Sequence, residues 1–165
     1  MCACGPRDRG PAVGTSDRTP GGAATSSSAA ADGGTLSGAG ALPAGYRTSF
    51  TKVNKARLIS TGHASGRWEV DVYANEAAAK ALASRAKDVP VGAIVVEEHY
   101  EHVEGRPAGP VMIMEKREKG FSADHGDWRY AVIGSTGALV KDGAVDSCAA
   151  CHDASPMDGL FPIVE

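Results

Sequence analysis

Apolar and polar residues alternate strictly along Trp68-Glu69-Val70-Asp71-Val72-Tyr73-Ala74. A period of two predicts a strand with Trp68, Val70 and Val72 on one face. Asn75 follows as a helix cap, and Glu76-Ala77-Ala78-Ala79-Lys80-Ala81-Leu82-Ala83 is rich in helix formers, with Glu76 and Lys80 four residues apart. Asp88-Val89-Pro90 is the predicted stop, since proline cannot continue a helix. Val91-Gly92-Ala93-Ile94-Val95-Val96 opens a second strand that can run on to Tyr100. The turn-forming Glu104-Gly105-Arg106-Pro107-Ala108-Gly109-Pro110 then joins it to Val111-Met112-Ile113-Met114-Glu115-Lys116 as a hairpin. A polar loop over 120–127 precedes a further strand, Trp128-Arg129-Tyr130-Ala131-Val132-Ile133, which Gly134-Ser135-Thr136-Gly137 ends. The stretch 46–60, with Phe50, Val53, Leu58 and Ile59 as its strong apolar positions, fits neither period. The pattern predicts an α+β fold: an antiparallel sheet of four or more strands with one or two helices and no repeat.

Residues 1–45 break with this pattern. They hold ten of the 21 glycines, and Pro, Ser, Thr and Ala fill most of the rest. Such a segment cannot bury enough apolar area to offset the entropy of ordering it, so a flexible tether is expected, with a single domain over 46–165. Three arginines cancel three aspartates in the tether, which leaves the whole net charge of −3 on the domain. That balance excludes a basic nucleic-acid footprint and a polybasic membrane patch. No run approaches the roughly 18 apolar residues of a membrane-spanning helix. The opening Met1-Cys2-Ala3-Cys4-Gly5 resembles the start of a mature bacterial lipoprotein, with a lipid anchor on Cys2. The alternative is a tail carrying two incidental thiols. Nine aromatic residues are few for a core, so something besides side chains can be expected to complete it.

The most specific chemistry lies at Cys148-Ala149-Ala150-Cys151-His152. Two thiols one helical turn apart can add across the two vinyl groups of a haem, and the adjoining imidazole can ligate the iron. The motif predicts one covalent haem c on a C-terminal helix, with Cys148 and Cys151 as thioethers and His152 as axial ligand. The second ring nitrogen of His152 is expected to donate to a carbonyl. Haem-free readings stay open. A zinc site would need a fourth ligand, and the other cysteines lie in the tail. A thioredoxin-like pair would open a helix early in a βαβ unit rather than close the chain. A disulfide clasp leaves His152 without a role.

Only 13 residues follow His152, too few for a distant downstream methionine ligand; Met157 reads as packing. His63, His99, His102 and His125 are candidate sixth ligands. His99 and His102 sit amid Glu97, Glu98, Glu101 and Glu104, which reads as a solvated acidic edge. His125 falls in a polar loop, and His63 in a surface turn or pocket lid between Gly62 and Gly66.

An ordered series runs from Gly62-His63 and Arg67 through Val72-Tyr73-Ala74-Asn75-Glu76-Ala77 to Pro90-Val91-Gly92-Ala93-Ile94-Val95-Val96-Glu97-Glu98. It continues through the Met-rich strand and Asp127-Trp128-Arg129-Tyr130 to the cysteine motif, with Asp158-Gly159-Leu160-Phe161 behind it. This series resembles the cytochrome P-460 and β-type cytochrome c′ family over 46–161. The resemblance implies export to the periplasm, a homodimer, and an iron with His on one side and an open position on the other. Cytochrome P-460 proper oxidises hydroxylamine with a lysine-crosslinked haem and a pocket carboxylate; the β-type cytochromes c′ bind nitric oxide or carbon monoxide in an apolar pocket.

This chain carries parts of both. Where some relatives place a lysine in the second strand, it has Glu97-Glu98. Lys116 shares a strand face with Met112 and Met114, and alone of the seven domain lysines looks placed to reach a pocket. The alternative is a strand-end lysine snorkelling to water. Lys141-Asp142-Gly143-Ala144-Val145-Asp146-Ser147 offers no Glu, so Asp142 and Asp146 are the candidate bases, against a reading as solvated acids in a polar turn. Met112, Met114, Trp128 and Tyr130 are the candidate pocket-lining residues. The expected function is binding of a small nitrogen oxide or gas at the iron, electron transfer with a redox partner protein, or both. Hydroxylamine oxidation is the alternative.

Overall fold

The computed structural model describes residues 40–163, so residues 1–39 of the expected tether, Cys2 among them, lie outside the described residues, while the tether's end is corrected: Ala41 is buried in a core cluster with Tyr46, and Leu42 packs against it. In chain order the elements are α1 (Tyr46–Ser49), β1 (Thr51–Lys52), β2 (Leu58–Ile59), β3 (Trp68–Ala74) and α2 (Glu76–Ser84). They continue with β4 (Ile94–Glu101), β5 (Ala108–Lys116), β6 (Trp128–Ile133), β7 (Leu139–Gly143) and α3 (Asp146–His152). The strands form one seven-stranded antiparallel sheet in the order β1-β3-β4-β5-β6-β7, with β2 also paired to β3. The fold is α+β, as the periodicity predicts.

Asn75 caps α2 through the Ala78 N–H at 3.0 Å, and its Oδ1 also accepts the Ile94 N–H at 3.1 Å. One side chain thus starts a helix and a strand. α2 ends at Ser84, ahead of the predicted stop at Pro90, because Arg85 adopts the left-handed conformation at φ 53°. Its N–H closes on the Ala81 and Leu82 carbonyls. Between the short strands β1 and β2, the buried Asn54 continues the ladder of β3. It accepts the Val72 N–H at 2.8 Å and donates to the Val70 carbonyl at 2.9 Å. That substitution of side chain for backbone explains why 46–60 carries no readable period.

β7 corrects the reading of 141–147 as a polar turn, since residues 141–143 belong to the strand. It is an exposed edge strand whose pairing to β6 supplies its order, and a five-residue segment with two apolar residues gives little signal by itself.

Directly opposed residues of an antiparallel sheet point the same way. The registers therefore place Val72, Glu97, Met112 and Val132 in one row, and Ala74, Val95, Met114 and Tyr130 in the next. α2 and α3 pack on this face, where Ala78, Ala81, Ala149, Met157 and Leu160 close the main core. Met157 thus has the packing role expected of it. The opposite face carries a second, smaller core around Val96, Ile113 and Ile133, covered by Tyr46.

Candidate functional site

α3 lies against the sheet through Ala149, whose small side chain is buried. Cys148 and Cys151, three residues apart, fall within one turn of the helix. They are not joined as a disulfide, and Cys148 packs on the main core. Burial pushes the Cys148 thiol up. His152 closes the helix, with its ring 5.5 Å from that of Tyr130 and 5.5 Å from that of Phe161. Its Nδ1 lies 2.7 Å from the Gly159 carbonyl. A carbonyl can only accept, so the ring proton sits on Nδ1 and Nε2 keeps its lone pair. Burial holds the ring below its usual pKa, favouring the neutral form.

The carbonyl that orients His152 is itself held. Asp158 and Gly159 both have positive φ, 47° and 86°. Trp128 Nε1 donates to the Asp158 carbonyl at 2.8 Å. A Cβ at Gly159 would stand 2.6 Å from that same Nε1, so the close approach needs glycine. Asp158 Oδ2 takes the Val89 N–H at 2.9 Å and the Lys116 ammonium at 2.6 Å. Lys116 therefore neither snorkels to water nor lies unpartnered in the pocket. It fastens the loop that positions His152. Lys141, brought onto the same sheet face by β7, donates to Ser147 Oγ at 3.2 Å beside the motif, so Lys116 is not alone in reaching the site's neighbourhood.

Above the sheet, a second group of side chains corrects the picture of a solvated acidic edge. His99 is 1% exposed and Glu98 is 4% exposed. Glu98 faces away from α3 and accepts from Tyr46, Arg47 and Tyr100. His99 lies on the site's face, with Nδ1 3.1 Å from the Pro110 carbonyl and Nε2 3.2 Å from His63 Nδ1. Ser60 Oγ stands 3.0 Å from the same His63 nitrogen. Glu97 Oε2 lies 3.4 Å from His63 Nδ1 and 3.6 Å from His99 Nε2. Burial works to raise the Glu97 carboxyl, but His63, His99 and His152 around it hold it below the usual value. The Glu97 partner raises His63, against the opposing effect of burial. Burial depresses His99. The ring centres of His63 and His152 are 6.4 Å apart.

Glu97 is the residue of this group that sequence reading left on a solvated edge. Its signal was faint: an acid two residues after Val95, hence on the same, covered face of β4. His102 lies beyond this group on Glu69 at 2.8 Å, and His125 pairs with Asp153 at 2.7 Å. Asp142 stands on β7, paired with Arg129 Nε at 2.7 Å, in register with Ala131 of the opposite core. Asp146 begins α3 and is exposed. The structure brings neither aspartate to His152. Met114, Trp128 and Tyr130 belong to the main core, while half-buried Met112 sits between Glu97 and Val132 in its row.

The donor set fits a haem better than a structural zinc. Among the described residues the cluster able to hold a metal ion is His63, Glu97 and His99, and neither cysteine belongs to it. The Tyr130 hydroxyl is buried without a hydrogen-bond partner, as a side chain does when a bound group is to complete its surroundings. Cys148, Cys151 and His152 on the last helix are the residues that would hold a haem. A model of the family Cytochrome P460 matches residues 43–160, and the chain belongs to that family of haem-containing c-type cytochromes. Comparison with curated proteins gives no match.

Proposed function

We propose that the protein is a periplasmic monohaem c-type cytochrome that binds a small nitrogen oxide or gas at its iron and exchanges electrons with a partner protein. Cys148 and Cys151 would hold the haem as thioethers, and His152 would ligate the iron through Nε2. The observation that carries this reading is the His152 Nδ1–H bond to Gly159, which leaves a lone pair on Nε2 beside two thiols one turn apart. When bound, the haem supplies the redox couple and the ligand-binding metal. The chain's own part is to fix the imidazole's tautomer and direction, through Gly159, Trp128 and the Lys116–Asp158 pair. Homodimerisation, implied by the family resemblance, belongs to the same proposal.

Binding is favoured over hydroxylamine oxidation because the parts of that reaction are engaged elsewhere. Lys116 is held by Asp158 and Asp142 by Arg129. The test is a holoprotein matured in the periplasm, read by pyridine haemochrome, intact mass and nitric oxide titration of the ferrous form. The expected result is one haem adduct that survives acid-acetone, a saturable nitric oxide spectrum, and no hydroxylamine turnover. Protein without thioether haem overturns the assignment. A lysine-crosslinked haem peptide with hydroxylamine turnover replaces binding by oxidation.

A further inference from the structure

Glu97 and His99 lie two residues apart on β4 and so share a face, and His63 reaches them from the turn between β2 and β3. The register of β4 on β5 shifts between Glu98 and Tyr100, and at that irregularity the Pro110 carbonyl meets His99 Nδ1 at 3.1 Å. A carbonyl only accepts, so His99 carries its proton on Nδ1 and turns a bare Nε2 to His63 and Glu97. The His99 side chain is fully enclosed, while those of His63 and Glu97 are each 28% exposed and leave a way in from solvent.

Electron-pair donors converge here with too few protons among them. His63 Nδ1 carries at most one proton, and three atoms surround it: Ser60 Oγ at 3.0 Å, His99 Nε2 at 3.2 Å and Glu97 Oε2 at 3.4 Å. Glu97 Oε2 is left buried with no hydrogen-bond partner. A buried carboxylate oxygen without a donor is costly, and a cation is the other way to compensate it. The spacing also discriminates. Glu97 Oε2 stands 3.4 Å from His63 Nδ1 and 3.6 Å from His99 Nε2, longer than the roughly 2.7–2.9 Å of a charge-assisted hydrogen bond. Two donors on one tetrahedral ion, with bonds of about 2.0–2.1 Å, stand about 3.3–3.4 Å apart. The three atoms form a triangle with sides of 3.2, 3.4 and 3.6 Å. The circle through its corners has a radius of about 2.0 Å, so one point lies a metal–ligand bond from all three.

We propose that His63 Nδ1, Glu97 Oε2 and His99 Nε2 bind one divalent first-row transition-metal ion, such as zinc or ferrous iron. Two imidazoles and a carboxylate are donors that suit these ions, and three protein ligands leave a further coordination position for water or a small ligand. The Pro110 carbonyl is the partner behind the metal-facing ring of His99, fixing its tautomer and direction. The site uses no residue of the Cys148–His152 motif, so it stands apart from the haem reading.

The test uses the periplasm-matured holoprotein, stripped with a chelator and dialysed against zinc chloride. Elemental analysis should find one zinc per chain. Zinc K-edge absorption should show only nitrogen and oxygen neighbours, at about 2.0–2.1 Å, with the outer-shell signature of imidazole. Glu97→Gln and His63→Ala should each weaken zinc binding at least about ten-fold, while His102→Ala, outside the group, should leave it unchanged. His63→Cys, which swaps one donor for another, should keep the zinc and add a sulfur neighbour at about 2.3 Å. No retained zinc overturns the proposal and leaves His63, Glu97 and His99 as a hydrogen-bonded group. Zinc binding that Glu97→Gln and His63→Ala do not weaken, with no sulfur neighbour in His63→Cys, overturns it equally. Protein without covalent haem sinks the haem reading alone: zinc on free thiols would survive His63→Ala, whereas zinc in this site would not.

Discussion

Lys116 and Asp158 meet at 2.6 Å, from the end of β5 to the loop behind α3, with only 11% and 18% of their side chains exposed. The same loop offers its Gly159 carbonyl to His152. A lysine that looks like a candidate for haem chemistry is thus part of the frame that orients His152. Removing one member of a buried pair strands the other charge, which costs about 3 kcal/mol. Lys116→Met should lower unfolding free energy by about that amount, while Lys116→Met with Asp158→Asn should lose less than the two single changes together. Denaturant titration of the four proteins measures this; additive losses would mean that the pair contributes no coupling.

Gly159 admits no side chain. Its φ is 86° and a Cβ would meet Trp128 Nε1 at 2.6 Å. Gly137 has nearly the same φ, 83°, with nothing within 4 Å of an added Cβ. Gly137→Ala should cost about 1 kcal/mol, from backbone strain alone. Gly159→Ala should cost about 2 kcal/mol more through overpacking, and it should also shift the haem spectrum, because it displaces the carbonyl that orients His152. Equal losses in the two variants, with unchanged spectra, would remove Gly159 from the proximal frame.

The motif cysteines should act as a pair. Changing Cys148 and Cys151 together to Ala should abolish the acid-acetone-stable haem adduct in intact-mass spectra. His152→Ala should retain the adduct and change the spin state, since the thioethers and the iron bond are separate attachments. Covalent haem surviving the double cysteine change would place its attachment elsewhere.

Glu98 gives the far face of the sheet an acid-sensitive clasp. Burial raises its carboxyl, but donors on Tyr100, Tyr46 and Arg47 outweigh that and leave it below the usual value. A carboxyl depressed in the folded state contributes stability above its unfolded value, about 4.3, and that contribution is lost as pH falls through the folded value. Stability should therefore drop on acidification below about pH 4.5. Glu98→Gln should be less stable at pH 7 and show a shallower drop in the same window. Urea midpoints between pH 7 and pH 3 decide it, and parallel curves for the two proteins would show that Glu98 is not linked to folding.

The sequence alone determined what depends on neighbours a few residues apart. The alternation from Trp68 to Ala74 sets a strand, and Asn75 before an alanine-rich run sets a capped helix. The Cys148-x-x-Cys151-His152 spacing places two thiols and an imidazole on one short helix. Such features are legible because backbone period and side-chain reach are local properties. Tertiary structure decided the rest. The partner of Lys116 is 42 residues away and that of His99 Nε2 is 36 away, distances set by strand register and loop path. Glu97 and Glu98 are adjacent in the chain, yet the pleat sends one to the histidines and the other to Tyr46 and Arg47. A run of acids therefore looks uniformly solvated until the sheet is assembled, and β7 gains its order only from the strand it pairs with.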